Sequence, residues 1–150
     1  MILSPKLRAR LKSLLRRAGR REIGGILMAE QLAPGNFRLV DFSVDNITGR
    51  VAHFCRNPEQ HAAALERFFV QTGHEYSKYN YLGEWHSHPG FSVEPSLQDI
   101  SSMTKLVRGE RNIDFSVLMI VKLNWMCFLN ISAVVFSKQS NGVPVLLTKN

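Results

Sequence analysis

Residues 79–108 read YNYLGEWHSHPGFSVEPSLQDISSMTKLVR. The first ten are rich in aromatic and branched residues and read as a strand ending on two histidines. The stretch from Pro89 to Pro95 holds two prolines and a glycine and reads as a loop. Leu97, Ile100, Met103, Leu106 and Val107 then recur at helical spacing from about Ser96 to Arg108, and Gly109 ends the stripe. Strand, loop and helix therefore follow one another within thirty residues, which is the grammar of an α/β layer protein.

The flanking segments extend that pattern. Upstream, GGILMAEQL (24–32) and NFRLVDFSV (36–44) read as two strands of a hairpin turning at Pro34-Gly35-Asn36, with Phe37, Leu39 and Val44 toward a core. VAHFC (51–55) reads as a third strand. Pro58 opens a helix carrying Ala62, Leu65, Phe68 and Phe69, which Gly73 stops. Downstream, IDFSVLMIV (113–121) and WMCFLNISAVVF (125–136) read as two central strands joined at Lys122-Leu123-Asn124, and VPVLL (143–147) as a last one. Hairpins mixed with helices predict a mixed sheet packed with helices. The 150 residues, with 45% apolar content and no internal repeat or linker, predict one domain over 1–150.

Nineteen Lys and Arg against twelve Asp and Glu give a formal charge of +7, and eight of the cations precede residue 22. Ser4 as N-cap and Pro5 as first helical residue begin a helix in SPKLRARLKSLLRRA (4–18). Leu7, Leu11, Leu14 and Leu15 share one face, and Arg8, Arg10, Lys12, Arg16 and Arg17 lie mostly outside it. The preferred reading is a core-docked helix with a solvated basic face, and contact with a nucleic acid or an acidic protein is the weaker alternative. Cys55 and Cys127 show no paired metal spacing and read as buried thiols. The charged N-terminus and the lack of a run of about eighteen apolar residues point to a cytoplasmic protein with no membrane partner.

The chemistry lies in His86-Ser-His88-Pro-Gly-Phe-Ser-Val-Glu-Pro-Ser96-Leu-Gln-Asp99, an H-x-H-x(10)-D spacing. Histidines at i and i+2 at a strand end project to one side and can reach one cation. Asp99 completes the set if the loop folds back over the strand end. Two nitrogens and one oxygen leave a fourth position for water, the arrangement of a catalytic zinc site. Such a site needs a base that does not bind the metal. Glu22, just before the strand GGILM, is the candidate and Glu84 the rival. Taken alone, Ser96-x-x-Asp99 is also a helix start related to the capping box, and both roles are compatible. His53, His61 and His74 have no partner at ligand spacing and read as packing or surface residues. Trp85 is expected under the sheet, and Phe91 either lines the groove or anchors the loop.

HSHPGFSVEPSLQD, with the upstream EIGGIL, resembles the JAMM metalloprotease family, whose catalytic module is the JAB/MPN domain. That pattern is a glutamate, then H-S/T-H-P-x(6)-S-x-x-D, and every element is present. The resemblance covers about residues 2–137. It implies a single MPN/JAB domain with cytidine-deaminase-like layering, one Zn²⁺ held by His86, His88 and Asp99, Glu22 as catalytic base, and Ser96 as catalytic oxyanion donor. Ala29, where many relatives have glycine, and Glu84, where an aromatic is common, are departures that remove no catalytic group.

The resemblance further implies an isopeptidase that cleaves after the C-terminal glycine of a ubiquitin-like protein or of a target conjugated to one. The short chain resembles the minimal prokaryotic type, including deconjugating peptidases of bacterial antiviral (CBASS-like) operons encoded beside E1- and E2-like transfer proteins. Processing the tail of a sulfur-carrier protein is the alternative, and a non-catalytic MPN scaffold is a weaker one. No nucleic-acid partner is expected.

Overall fold

The computed structural model describes residues 1–45, 58–109 and 113–148, with the side chains of residues 58–60 excepted. The predicted strand at 51–55, Cys55 and His53 lie outside the described residues. The order is α1 (Pro5–Ala18), β1 (Gly24–Ala33), β2 (Asn36–Phe42), α2 (Pro58–Gln71), β3 (Tyr79–Ser87), α3 (Leu97–Arg108), β4 (Phe115–Leu123), β5 (Leu129–Ser137) and β6 (Val143–Pro144). The sheet runs β2-β1-β3-β4-β5-β6. Only β3 and β4 are parallel among these pairs; the others are antiparallel, so the sheet is mixed as predicted.

Side chains alternate across the sheet and divide it between two layers of helix. Val117, Met119 and Val121 of β4 face Leu7, Leu11 and Leu15 of α1, whereas Leu118 and Ile120 face Met103 and Val107 of α3. Farther along the sheet, Ile26 and Met28 of β1 meet Phe68 of α2. Leu11, Trp85, Met119 and Ile120 are fully buried, each such side chain stabilising the fold by about 1.5–3 kcal/mol. Ser4 caps α1 by accepting from Leu7 N, and Pro5 supplies the fixed φ of its first turn. The basic residues of this helix stay outside the core, as expected.

The N-terminal residues close the layer. Ile2 forms parallel bridges to Arg38 of β2 on one side and to Thr148, beyond β6, on the other. Met1 donates from its ammonium group to Leu146 O at 2.7 Å, and Leu3 N donates to Thr148 O at 3.1 Å. Burial lowers the pKa of that amine.

Three expectations fail in detail. Residues 125–128, read as the start of a strand, form the β4–β5 turn, in which Asn124 N donates to Phe128 O at 3.0 Å and the Asn124 side chain accepts from Phe128 N at 2.8 Å. Asn124 offers the backbone an alternative to the ladder, and this outweighs the apolar pattern. Cys127 sits in that turn with φ 59° and is exposed rather than buried. The last strand shrinks to Val143–Pro144, because Pro144 cannot donate to a ladder.

Candidate metal centre

The connection β3–α3–β4 returns the chain to a parallel neighbour, so the loop after β3 and the start of α3 both lie at the carboxyl ends of β3 and β4. Ligand sites form there in open α/β sheets. His86 is the penultimate residue of β3 and shares its face with Glu84, paired across β1 with Ile26. His88 follows the strand, held where its N–H donates to Val121 O at 3.0 Å. Asp99 is the third residue of α3.

These three residues converge. His86 Nε2 lies 3.0 Å from His88 Nε2, and the Asp99 oxygens stand 3.4 Å and 3.6 Å from the two nitrogens. Zinc bound at about 2.0–2.1 Å in tetrahedral geometry would set its ligand atoms about 3.4 Å apart. The three observed edges bracket that value, so the group could hold a metal ion. A 3.0 Å approach of two imidazole nitrogens requires a hydrogen on one or a cation between them. His88 Nδ1 donates to Ser92 O at 2.7 Å, which turns its Nε2 toward the site in the ligating form. Nothing in the sequence pattern marked Ser92, because its contribution is a backbone carbonyl.

Asp99 has two sets of partners. Its Oδ2 accepts from Ser96 N at 2.8 Å and from Ser96 Oγ at 2.7 Å, while Asp99 N donates to Ser96 Oγ at 3.2 Å. This reciprocal pattern is a capping box, so the helix-start reading and the ligand reading of Ser96-x-x-Asp99 hold together. Burial pushes the Asp99 carboxyl up, but hydrogen bonds from His86 and His88 outweigh it and hold the group well below the ordinary carboxylate range. The hydrogen bond to Asp99 raises the His88 pKa against the opposing effect of burial.

Glu22 precedes β1 and is 6% exposed. Ser87, between the two histidines, fixes its neighbour: Ser87 N donates to Ile23 O at 2.8 Å and Ser87 Oγ accepts from Ile23 N at 3.0 Å. Gly24 and Gly25 allow this close packing, since a Cβ on Gly24 would lie 2.3 Å from Trp85 O and one on Gly25 2.2 Å from Ser43 O. Trp85 is buried as expected, its indole donating to Ser43 O at 2.8 Å. A cleft of about 590 Å³ contains Glu22, Glu84, His86, His88, Ser96 and Asp99. Both candidate bases therefore reach the cleft. Glu22 adjoins Ile23, whose N–H donates to Ser87 Oγ, and is buried, whereas Glu84 is half-buried on β3 beside Leu118 of β4. Phe91 is exposed at the rim, its ring edge-on to His88 at 6.2 Å between centroids.

Among the described residues, His61 and His74 lie outside this cluster. His61 is buried on α2 with Nδ1 2.8 Å from Ser43 Oγ, and His74 is exposed beside Tyr76. No helix among the described residues is long and apolar enough to cross a membrane.

The model of prokaryotic homologs of the JAB domain matches residues 4–141. The chain therefore belongs to the JAB/MPN family. Its fold is similar to the solution structure of protein DSY2949 from Desulfitobacterium hafniense, with TM-score 0.70 and 17% identity over 100% of this chain and 93% of that one. It is also similar to a protein from Salinibacter ruber, with TM-score 0.61 and 16% identity over 99% of this chain and 90% of the other. No curated protein matches.

Proposed function

We propose that this chain is a JAMM-type zinc isopeptidase that cleaves the amide bond after the C-terminal glycine of a ubiquitin-like protein or its conjugated target. The observation that carries the reading is the buried Glu22 carboxylate sharing one cleft with the His86, His88 and Asp99 group. Two imidazoles and one carboxylate suit zinc and leave an open position. The ion would supply Lewis acidity toward the scissile carbonyl and toward water.

The chain's own residues do the rest. Glu22 accepts a proton from the attacking water as the new C–O bond forms at the carbonyl carbon. Ser96 Oγ, already a donor to Asp99, turns its hydrogen toward the oxyanion. Glu22 then passes its proton to the leaving nitrogen as the C–N bond breaks, so that proton and electron pair balance. Glu84 lines the same cleft but is only half-buried, and the more buried Glu22 is the better base because burial raises a carboxylate's proton affinity.

The proposed setting is a cytoplasmic bacterial ubiquitin-like conjugation or antiviral defence system with E1- and E2-like partners. The exposed free thiol of Cys127 suits a reducing compartment. The same chemistry would serve tail processing of a sulfur-carrier protein, and gene neighbours separate the two. The test is zinc content of wild type and Asp99→Ala, followed by incubation of wild type and Glu22→Ala with ubiquitin-like fusions ending in Gly-Gly. About one zinc per chain, lost in Asp99→Ala, with cleavage abolished in Glu22→Ala, is the expected result. A wild-type chain that refuses zinc would leave a non-catalytic scaffold instead.

A further inference from the structure

The β4–β5 turn carries Trp125 at 88% exposure, with Met126 and Phe128 at 50% and 58%. Large apolar side chains held this far into solvent cost solubility and mark contact surfaces. Their position is specific. Val121, which receives the His88 N–H, lies four residues before Trp125, so the turn stands at the same end of the sheet as the metal centre. Lys122, at the base of the turn, donates to Phe91 O at 2.7 Å and ties it to the loop at the rim of the cleft.

The base of the turn is basic. Leu15 and Gly19, at the end of α1, meet Pro89, Lys122 and Leu123 around one small hollow. Arg16 and Arg20 are the next residues in the chain after Leu15 and Gly19, and both are exposed. Arg10 pairs with Asp41, but among the described residues no acidic side chain pairs with Arg16, Arg17 or Arg20. The result is an apolar centre with a cationic rim, next to a cleft that takes an extended peptide.

We infer that the Trp125 turn and the end of α1 form a docking face for the folded body of the protein whose tail enters the cleft, and that this body presents an apolar patch rimmed by Asp and Glu. Charge selects this occupant. A second copy meeting the same face would set Arg16, Arg20 and Lys122 against their equivalents, which like-charge repulsion opposes. Anionic lipid and single-stranded nucleic acid offer negative charge without a peptide tail for the adjoining cleft.

The inference rests on the peptidase reading for its choice of partner, and Trp125 supplies a readout of its own. The chain has only two tryptophans, and Trp85 is fully buried, so changes in emission and iodide quenching report on Trp125. Zinc-loaded Glu22→Ala protein is titrated with four probes. Two are ubiquitin-like fusions ending in Gly-Gly and a reporter, one with an acidic rim around its apolar patch and one with that rim neutralised. The others are phosphatidylglycerol vesicles and a twenty-nucleotide oligothymidylate. Only the acidic-rimmed fusion should shift Trp125 emission to the blue and shield it from iodide. Trp125→Ala, followed by titration calorimetry because it removes the reporter, should weaken its binding about thirtyfold, a hot-spot loss, and Arg16→Glu with Arg20→Glu should weaken it while flattening its salt dependence.

A fusion cleaved by wild type without any response from Trp125 would overturn the docking face and leave the peptidase. Docking on Trp125 without cleavage by wild type would overturn the peptidase and leave the face. A response to vesicles or oligothymidylate alone, or to none of the four, overturns the inference.

Discussion

Ser96 Oγ stands 2.7 Å from Asp99 Oδ2 and accepts from Asp99 N, so one hydroxyl joins the start of α3 to the metal centre. Ser96→Ala therefore has two separable effects. Loss of the N-cap should cost about 0.5–2 kcal/mol of stability, read as a lower urea midpoint. Loss of the oxyanion donor should lower kcat by about 10²–10³ with zinc content unchanged. Ser96→Thr should restore the stability. A Ser96→Ala chain that folds normally and cleaves at the wild-type rate would remove Ser96 from the chemistry.

Asp99→Asn keeps the shape of the side chain and removes its charge. Zinc affinity should fall by at least tenfold, as competition with a chromogenic chelator would show. Unchanged affinity would mean that the two histidines bind without Asp99.

The metal-free chain should be most stable at mildly acidic pH. Asp99 has a lowered pKa when folded, so its contribution is present above its unfolded value of about 3.9 and is lost as pH falls through the folded value. His88 has a raised pKa, so its contribution is complete below its unfolded value of about 6.5 and is lost as pH rises through the folded one. The window is thus about pH 4 to 6.5. Urea midpoints of chelator-treated protein across pH 3 to 9 would show the maximum, and Asp99→Asn should flatten it. Zinc should reverse the alkaline limb, because binding draws the proton off His88.

Gly25→Ala should destabilise the fold by about 1–3 kcal/mol or more, because its Cβ would meet Ser43 O at 2.2 Å, a backbone atom with no side-chain freedom to yield. Gly90→Ala is the control, since nothing lies within 4 Å of its added carbon. Thermal melts of both variants with zinc bound would rank them, and equal melting temperatures would refute the close-packing account.

The candidate metal centre was legible because its three residues sit at fixed offsets in one strand–loop–helix unit: His86 and His88 share a strand end, and Asp99 follows at the first turn of the next helix. Strands and helices with strong apolar periodicity were legible for the same reason, local pattern matching local structure. Long-range and backbone contributions were not. Ser92 serves through its carbonyl, which has no side-chain signature, and the partner of Ser87, the backbone of Ile23, lies 64 residues away. The apolar run at 125–128 misled because its hydrophobicity serves an exposed turn, where Asn124 ends the ladder. That Glu22 and Glu84 line one cleft depends on the register of β1 against β3, which no local pattern prints.

The bridges of Ile2 to Arg38 and Thr148 bear on how the chain acquires its fold. Met1 and Leu146 are joined across 145 positions, so this closure cannot form during synthesis until Leu146 has emerged. Contacts of such separation slow folding, and until they form both the outer edge of β2 and the end of the chain stay open to wrong partners. Deleting residues 146–150 should therefore produce a chain that makes the metal-binding unit but refolds slowly and aggregates.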